Sequence, residues 1–159
     1  IVASDVYQGT VMADIFYMGS SRSVVVGDNS FAVYSCGEVP EKQQEVTLDQ
    51  EIKSVFHSDR YIGLILLNQE KSGYEVRLYD RSGNLMLSRA ITGDYSNVRI
   101  DGDEIIMFDG SRCCIVTATG VVKFQGDLGI DALEMFRAPG LNRYYVMTVN
   151  ELRVIYLTK

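Results

Sequence analysis

The sequence predicts an all-β, β-propeller-like protein of about four four-stranded antiparallel blades, and three observations predict it. Helical periodicity is nearly absent from the 159 residues; short runs of β-branched and aromatic residues alternate with polar turns instead. Four such groups recur at a spacing near forty residues, the period of a propeller blade. Each group also carries the same parts in the same order: an apolar strand, a polar hairpin, a strand ending in a hydrophobic pair and, in the first three, a glycine turn. A blade is a small twisted sheet that covers its flanks only by leaning on its neighbours. A β-sandwich or meander with evenly spaced hairpins is the alternative architecture.

The elements follow in chain order. Residues 1–12 precede the first full blade, and Val2–Val11, with Val6, Tyr7 and Val11 as its apolar residues, is expected to pair as the closing outer strand of the last blade. The first blade spans 13–49, with Val24–Val26 as second strand, Asp28-Asn29 as hairpin and Val33-Tyr34 ending the third strand. The second blade, 50–92, is the clearest. Ile52–Phe56 is a strand and His57-Ser58-Asp59 a turn; Arg60–Asn68 is apolar almost throughout, as burial on both faces requires. After the hairpin Gln69–Gly73, Tyr74–Asp80 alternates, Arg81-Ser82-Gly83-Asn84 supplies turn chemistry, and Leu85–Ile91 closes the unit. The third blade, 93–130, repeats the plan with Ile105–Phe108, the hairpin Asp109-Gly110-Ser111 and the pair Ile115-Val116. The fourth, 131–159, has Tyr144–Val149, the hairpin Asn150-Glu151 and Ile155-Tyr156, and it ends without a fourth strand. Successive hydrophobic pairs stand 45, 37 and 40 residues apart.

Composition narrows the function classes. Apolar residues make up 47% and charged residues 23%, the mix of a folded domain with a real core. A formal charge of −6 argues against nucleic acid and against contact of this segment with an anionic membrane. The longest apolar run, Tyr61–Leu67, is strand-sized and far below the roughly 18–20 residues of a bilayer span. The first residue is Ile and no basic-then-apolar leader follows, so a processed protein or a piece of a longer one is expected. Of the three cysteines, Cys36, Cys113 and Cys114, the adjacent pair points to opposite faces of a strand. A disulfide between neighbours needs a distorted peptide, and buried free thiols are the simpler reading. The redox compartment stays open.

Reactive constellations are scarce. His57 is the single histidine, expected as a solvated turn residue; Ser, His and Asp adjacent in sequence do not make a triad, which needs convergence from separate elements. There is no Cys-x-x-Cys pair and no glycine-rich phosphate loop, so no metal, cofactor or catalytic residue is assigned. Asp101-Gly102-Asp103-Glu104 reads as a hairpin turn, with too few ligand positions for a calcium loop. Arg60-Tyr61 and Arg143-Tyr144-Tyr145 open second strands and suit cation–π contacts.

One pattern points to a site. An acid stands just ahead of each expected first strand: Asp14, Glu51, Asp94 and Asp131, at offsets of 37, 43 and 37. In a propeller the first strand lines the central channel, so four carboxylates would ring its mouth and focus negative potential there. The expected ligand is a cation, a cationic sugar or a basic peptide. The plainer account is that strand entry is a turn position, where Asp is favoured for local hydrogen bonding.

The stretch Tyr95–Lys159 carries a resemblance. Its Cys-Ile-Val-Thr-Ala-Thr-Gly strand and turn (Cys114–Gly120), the Lys-Phe-Gln-Gly strand (Lys123–Gly126) and the Asn-Arg-Tyr after Pro139-Gly140 resemble the end of an uncharacterised bacterial family, a domain of unknown function. The resemblance implies a longer parent with an N-terminal membrane-anchor helix and an extracytoplasmic, propeller-like domain at the cell envelope. This chain would then be its carboxyl-terminal half. Three readings follow: a non-catalytic binding or scaffold domain for a protein or glycan partner, a glycan-acting enzyme using carboxylates at the channel mouth, or a purely structural half of a larger propeller. The expected assembly partner is either a second copy, as a homodimer, or the missing N-terminal half of the same protein.

Overall fold

The computed structural model describes residues 3–68 and 73–157. The chain divides into two compact units, Ile1–Thr92 and Gly93–Lys159. The first unit holds two four-stranded sheets. Sheet A orders β1 (Met12–Met18), β2 (Arg22–Gly27), β3 (Ser30–Ser35) and β4 (Glu41–Thr47) as neighbours, all antiparallel. Sheet B orders β5 (Glu51–His57), β6 (Tyr61–Asn68), β7 (Gly73–Asp80) and β8 (Leu85–Ile91) in the same way. Most of the expected hairpin between β6 and β7, residues 69–72, lies outside the described residues.

The second unit holds sheet C, with β9 (Asn97–Asp101), β10 (Glu104–Thr117) and β11 (Val122–Ala132), and sheet D, with β12 (Glu134–Arg137), β13 (Arg143–Met147) and β14 (Leu152–Tyr156). β10 is not one straight strand. Fully extended, its 14 residues would hold their ends about 45 Å apart, yet the Ala118 amide donates to the Asp103 carbonyl at 2.8 Å. The segment doubles back at Asp109–Arg112, where Gly110 takes φ 57°. Its first half pairs with β9 (Ile105 with Ile100) and its second half with β11 (Cys114 with Gln125). Sheet C therefore has four rows of strand, with the turn at the expected Asp109-Gly110-Ser111. Sheet D has three.

Alternation explains where each core sits. In sheet A, Phe16, Met18, Val24, Val26, Phe31 and Val33 form one cluster with Ile62, Leu64, Leu66 and Tyr79 of sheet B. In sheet C, Ile106, Phe108, Cys113 and Ile115 pack with Met135, Tyr144 and Val146 of sheet D. Each fully buried aliphatic or aromatic side chain contributes about 1.5–3 kcal/mol, so these flank contacts dominate the stability of each unit. Cys113 and Cys114 are buried free thiols and Cys36 is an exposed one. Among the described residues no helix is long and apolar enough to cross a membrane.

Two local expectations change. The segment Val2–Val11 was expected as a strand, but residues 3–11 form none. Side-chain ties hold it instead: the Tyr34 hydroxyl donates to Asp5 at 2.6 Å and pairs with the Tyr7 hydroxyl, and Lys42 reaches Asp5 at 2.9 Å. These bonds lay the segment against β3 and β4. His57 is the last residue of β5 rather than part of a turn, and its ring stacks on Phe16 at a centroid distance of 3.9 Å. A flat aromatic neighbour on sheet A makes the extended conformation the better packed one at that position.

Candidate functional site

A gathering of carboxylates around a concave surface lies where two connections of the first unit meet. The β2–β3 turn (Asp28, Asn29) and the β4–β5 connection (Leu48, Asp49, Gln50, Glu51) line a cleft of about 470 Å³. Backbone bonds join the two connections: the Leu48 amide donates to the Asn29 carbonyl at 2.8 Å and the Ile52 amide to the Asp28 carbonyl at 2.9 Å. Leu48 is buried and anchors the floor.

Side chains of β7 then fix the rim. Arg77 Nη1 reaches Asp49 at 3.0 Å while its Nε reaches Glu75 at 2.5 Å, and Gln50 Nε2 donates to Glu75 at 3.4 Å. The Arg77 guanidinium holds the Asp49 carboxyl below the usual carboxylate range. Burial pushes Glu75 upward, but hydrogen bonds from Arg77 and Ser88 outweigh it and the carboxyl ends below its ordinary value. Asp49 is thus matched by an internal guanidinium. Asp28 and Glu51 have no ion pair among the described residues, and they give the cleft its negative sign.

The four acids expected at strand entry take different positions. Glu51 is the first residue of β5 and lines the cleft. Asp14 lies inside β1, because Met12 already pairs with Gly27 ahead of a register shift; its Oδ1 accepts from the Ile15 amide at 2.8 Å, and it does not line the cleft. Asp94 precedes β9 by three residues and is exposed; its carbonyl accepts from Arg112 at 3.4 Å. Asp131 belongs to β11, whose next residue Ala132 pairs with Gly110 rather than opening a new strand. The bond from the Ile15 amide to Asp14 is local hydrogen bonding within β1, which competes with a site role there.

Asp94 and Asp131 stand beside one turn, and Asp14 stands near another. Asp14 pairs with Val26, two residues from the β2–β3 turn, and Asp131 and Asp94 adjoin the β10 turn through Gly110 and Arg112. That β10 turn has acids of its own: Asp109 accepts from Ser96 at 2.8 Å and Arg112 at 2.6 Å, and Asp127 accepts from Ser111 at 2.8 Å. Ser96 and Arg112 hold Asp109 below the usual carboxylate range, as the Gly129 amide and Ser111 do for Asp127. Sequence reasoning missed Asp28 and Asp49. The signal was present in the turn Asp28-Asn29 recurring beside the connection Asp49-Gln50-Glu51, as Asp109 recurs beside Asp94.

A second, more apolar cleft of about 570 Å³ lies on the outer flank of sheet A, lined by Tyr7, Tyr17, Tyr34, Ile15, Val25 and Met12 among others. Among the described residues no group of three His, Cys, Asp or Glu side chains has the geometry to hold a metal ion.

Comparison with known proteins places the fold. A family profile described as a family of unknown function (DUF5711) matches residues 1–157. No match was found among curated proteins. Among solved structures, a functionally unknown protein from Desulfotomaculum acetoxidans DSM 771 superposes with a TM-score of 0.60 at 15% identity, covering 94% of this chain and 53% of that one. HIRA gives 0.57 at 8% identity, over 96% of this chain and 57% of that one. Hsv2p of Kluyveromyces lactis gives 0.55 at 13% identity, over 91% and 50%. HIRA and Hsv2p are β-propeller proteins, and the fold of this chain is β-propeller-like, as the forty-residue repeat predicts. The chain spans about half the length of these structures.

Proposed function

The chain belongs to the DUF5711 family of unknown function, and from that premise we propose that it is a non-catalytic binding and scaffold module that takes a basic peptide or polyamine at its acid-lined turns. The observation that carries the reading is the cleft of Asp28, Asp49 and Glu51, whose loops are tied to each other by backbone bonds and to β7 by Arg77. Preorganised loops lose little entropy on binding. The internal Arg77–Asp49 ion pair supports a cationic ligand, since it is a planar cation meeting a carboxylate on the same rim. Propeller blades present such loops while their flanks do the structural work, although the fold alone does not specify a ligand. The extracytoplasmic, cell-envelope location belongs to the same proposal; the resemblance of Tyr95–Lys159 to an envelope family supports it.

The test is calorimetric titration of the chain with tetralysine and with spermine at low salt. Binding that falls at least tenfold in the Asp28→Asn/Glu51→Gln variant, and falls steeply with added salt, supports the reading. Equal binding by the variant and the parent overturns it.

A further inference from the structure

The outer face of sheet A builds a cleft of different chemistry from the acidic one. Register lines its side chains up in rows across the strands. One row runs Tyr17, Ser23, Tyr34 and Lys42, and the next begins Ile15, Val25 and Ala32. Residues 3–11 are tied to this face at the β3–β4 side. The Tyr34 hydroxyl donates to Asp5 at 2.6 Å, Lys42 reaches Asp5 at 2.9 Å, and the Lys42 ammonium stands 4.7 Å from the centre of the Tyr7 ring. The Tyr34 hydroxyl and then Lys42 hold the Asp5 carboxyl below the usual carboxylate range, so the tie persists at neutral pH. Ala32, on β3, is fully buried, whereas Ile15 is 65% and Tyr17 69% exposed. The segment thus walls one side of a cleft of about 570 Å³ and leaves the Tyr17 side open. That volume is within the roughly 300–1,000 Å³ of small-ligand sites.

The lining sets the chemistry of what fits. Among the described residues lining the cleft, the charged ones are Asp5 and Lys42, and they pair with each other. A charged ligand would lose hydration here without gaining a partner, so the cleft favours a neutral one. The side-chain hydroxyls of Ser4, Tyr17 and Ser23 have no hydrogen-bond partner among the described residues, and each can both donate and accept. Ile15, Val25 and the Tyr17 ring supply apolar surface between those hydroxyls.

A pyranose matches both halves of this lining. Its C–H groups pack on the negative face of an aromatic ring, and its hydroxyls pair with the hydroxyls around it. We propose that the cleft between residues 3–11 and the outer face of sheet A binds a neutral oligosaccharide, with Tyr17 as the stacking platform and Ser4 and Ser23 as hydroxyl partners. A neutral aromatic molecule would use the apolar surface but leave the serine hydroxyls unpaired as it seats. The ties at Asp5 fix the wall before the sugar arrives, which lowers the ordering cost of binding. The site shares no residue with the acidic cleft and does not depend on it.

The experiment is a ligand-observed NMR titration of the intact chain with maltotriose, cellotriose and tri-N-acetylchitotriose, each up to about 10 mM. The expected result is saturable binding of at least one of them. Tyr17→Ala should weaken that binding about tenfold, and Tyr17→Phe, which keeps the ring, should stay within about threefold of the parent. Tyr17 is exposed, so circular dichroism should show unchanged folding; Tyr156→Ala, at an exposed tyrosine of sheet D, is the control and should bind as the parent does. Binding should also survive Asp28→Asn/Glu51→Gln and a rise from about 0.05 to 0.5 M salt, which separates it from the fate of the acidic cleft. No saturable binding of any of the three sugars overturns the proposal. So does binding that Tyr17→Ala leaves intact or that Tyr156→Ala weakens equally, and so does tighter binding of p-cresol than of every trisaccharide.

Discussion

Replacing Glu104 with Ala should destabilise the second unit by about 3 kcal/mol. The carboxylate opens β10 with only 7% of its side chain exposed. Lys123 reaches it at 2.5 Å, the Tyr144 hydroxyl donates to it at 2.7 Å, and Arg137 Nε stands at 3.6 Å. Burial first, then the neighbouring carboxylate, pushes the Tyr144 phenol well above its ordinary value, so it remains a donor throughout the working range. Removing one partner of a buried ion pair costs about 3–5 kcal/mol, mainly because the other charge is stranded. Lys123 is 21% exposed and can recover some water, which places the variant at the lower end. Tyr144→Phe removes only one hydrogen bond to a charged acceptor and should cost about 1.5–3 kcal/mol.

The assay is urea unfolding followed by circular dichroism. With a slope of about 2 kcal/mol/M, Glu104→Ala should lower the midpoint by roughly 1.5 M. The combination Glu104→Leu with Lys123→Met removes both charges of that pair and should recover part of the loss, since an apolar pair of similar volume can replace a buried ion pair, while the buried Tyr144 hydroxyl loses its acceptor. A loss below about 1 kcal/mol for Glu104→Ala would refute the reasoning. So would a double variant whose losses simply add, because the cost is attributed to the stranded charge.

Three other outcomes follow from single contacts. Gly63→Ala would set a Cβ into the ring of Phe56, which is buried, so unfolding should show a loss of about 1–3 kcal/mol; an unchanged midpoint would show that the ring moves. Burial pushes the Cys113 thiol up to about 12, and Cys114 is buried too. A thiol reagent at neutral pH should therefore titrate Cys36 alone until denaturant is added, and three fast thiols would contradict the packing. Burial raises the Asp80 carboxyl, but bonds from the Asn84 side chain and from the Asn84 and Ser82 amides outweigh it and leave the group below its ordinary value. Its stabilising contribution is then complete above the unfolded carboxyl value of about 3.9 and is lost as pH falls through the lowered one. Asp80→Asn should flatten that part of the acid-unfolding curve, and an identical curve would remove Asp80 from the account.

Features set by local chemistry were legible. The alternation of Tyr74–Asp80 and the turn around Gly83, at φ 85°, need no distant partner to be read, and they appear as β7 and its turn into β8. The hairpin at Asp109-Gly110-Ser111 was legible for the same reason, since glycine reaches a positive φ that other residues resist. Glu104 was not legible. It reads as one more acid of the turn Asp101–Glu104, and only the fold brings Lys123 and Tyr144 to it from 19 and 40 positions away. His57 was misplaced because the ring that fixes it, Phe16, comes from another sheet. At the cleft, Glu51 was singled out from the sequence and Asp28 was read only as a hairpin residue, because a turn acid meets the neighbouring connection only once the chain is folded.

The energetics of the cleft also constrain its ligand. An exposed ion pair contributes about 0.2–1 kcal/mol. A single amine between Asp28 and Glu51 would then gain at most about 2 kcal/mol, while even millimolar affinity needs about 4 kcal/mol. Monovalent cations are therefore too weak to be held here, however well placed the two carboxylates are. A polycation differs, because once its first charge is engaged the others bind at high effective concentration. The two unpaired carboxylates of the cleft, Asp28 and Glu51, thus favour a ligand that carries several positive charges in a row. The affinity of lysine oligomers should accordingly rise with length, and a series in which dilysine binds as tightly as octalysine would remove multivalency from the mechanism.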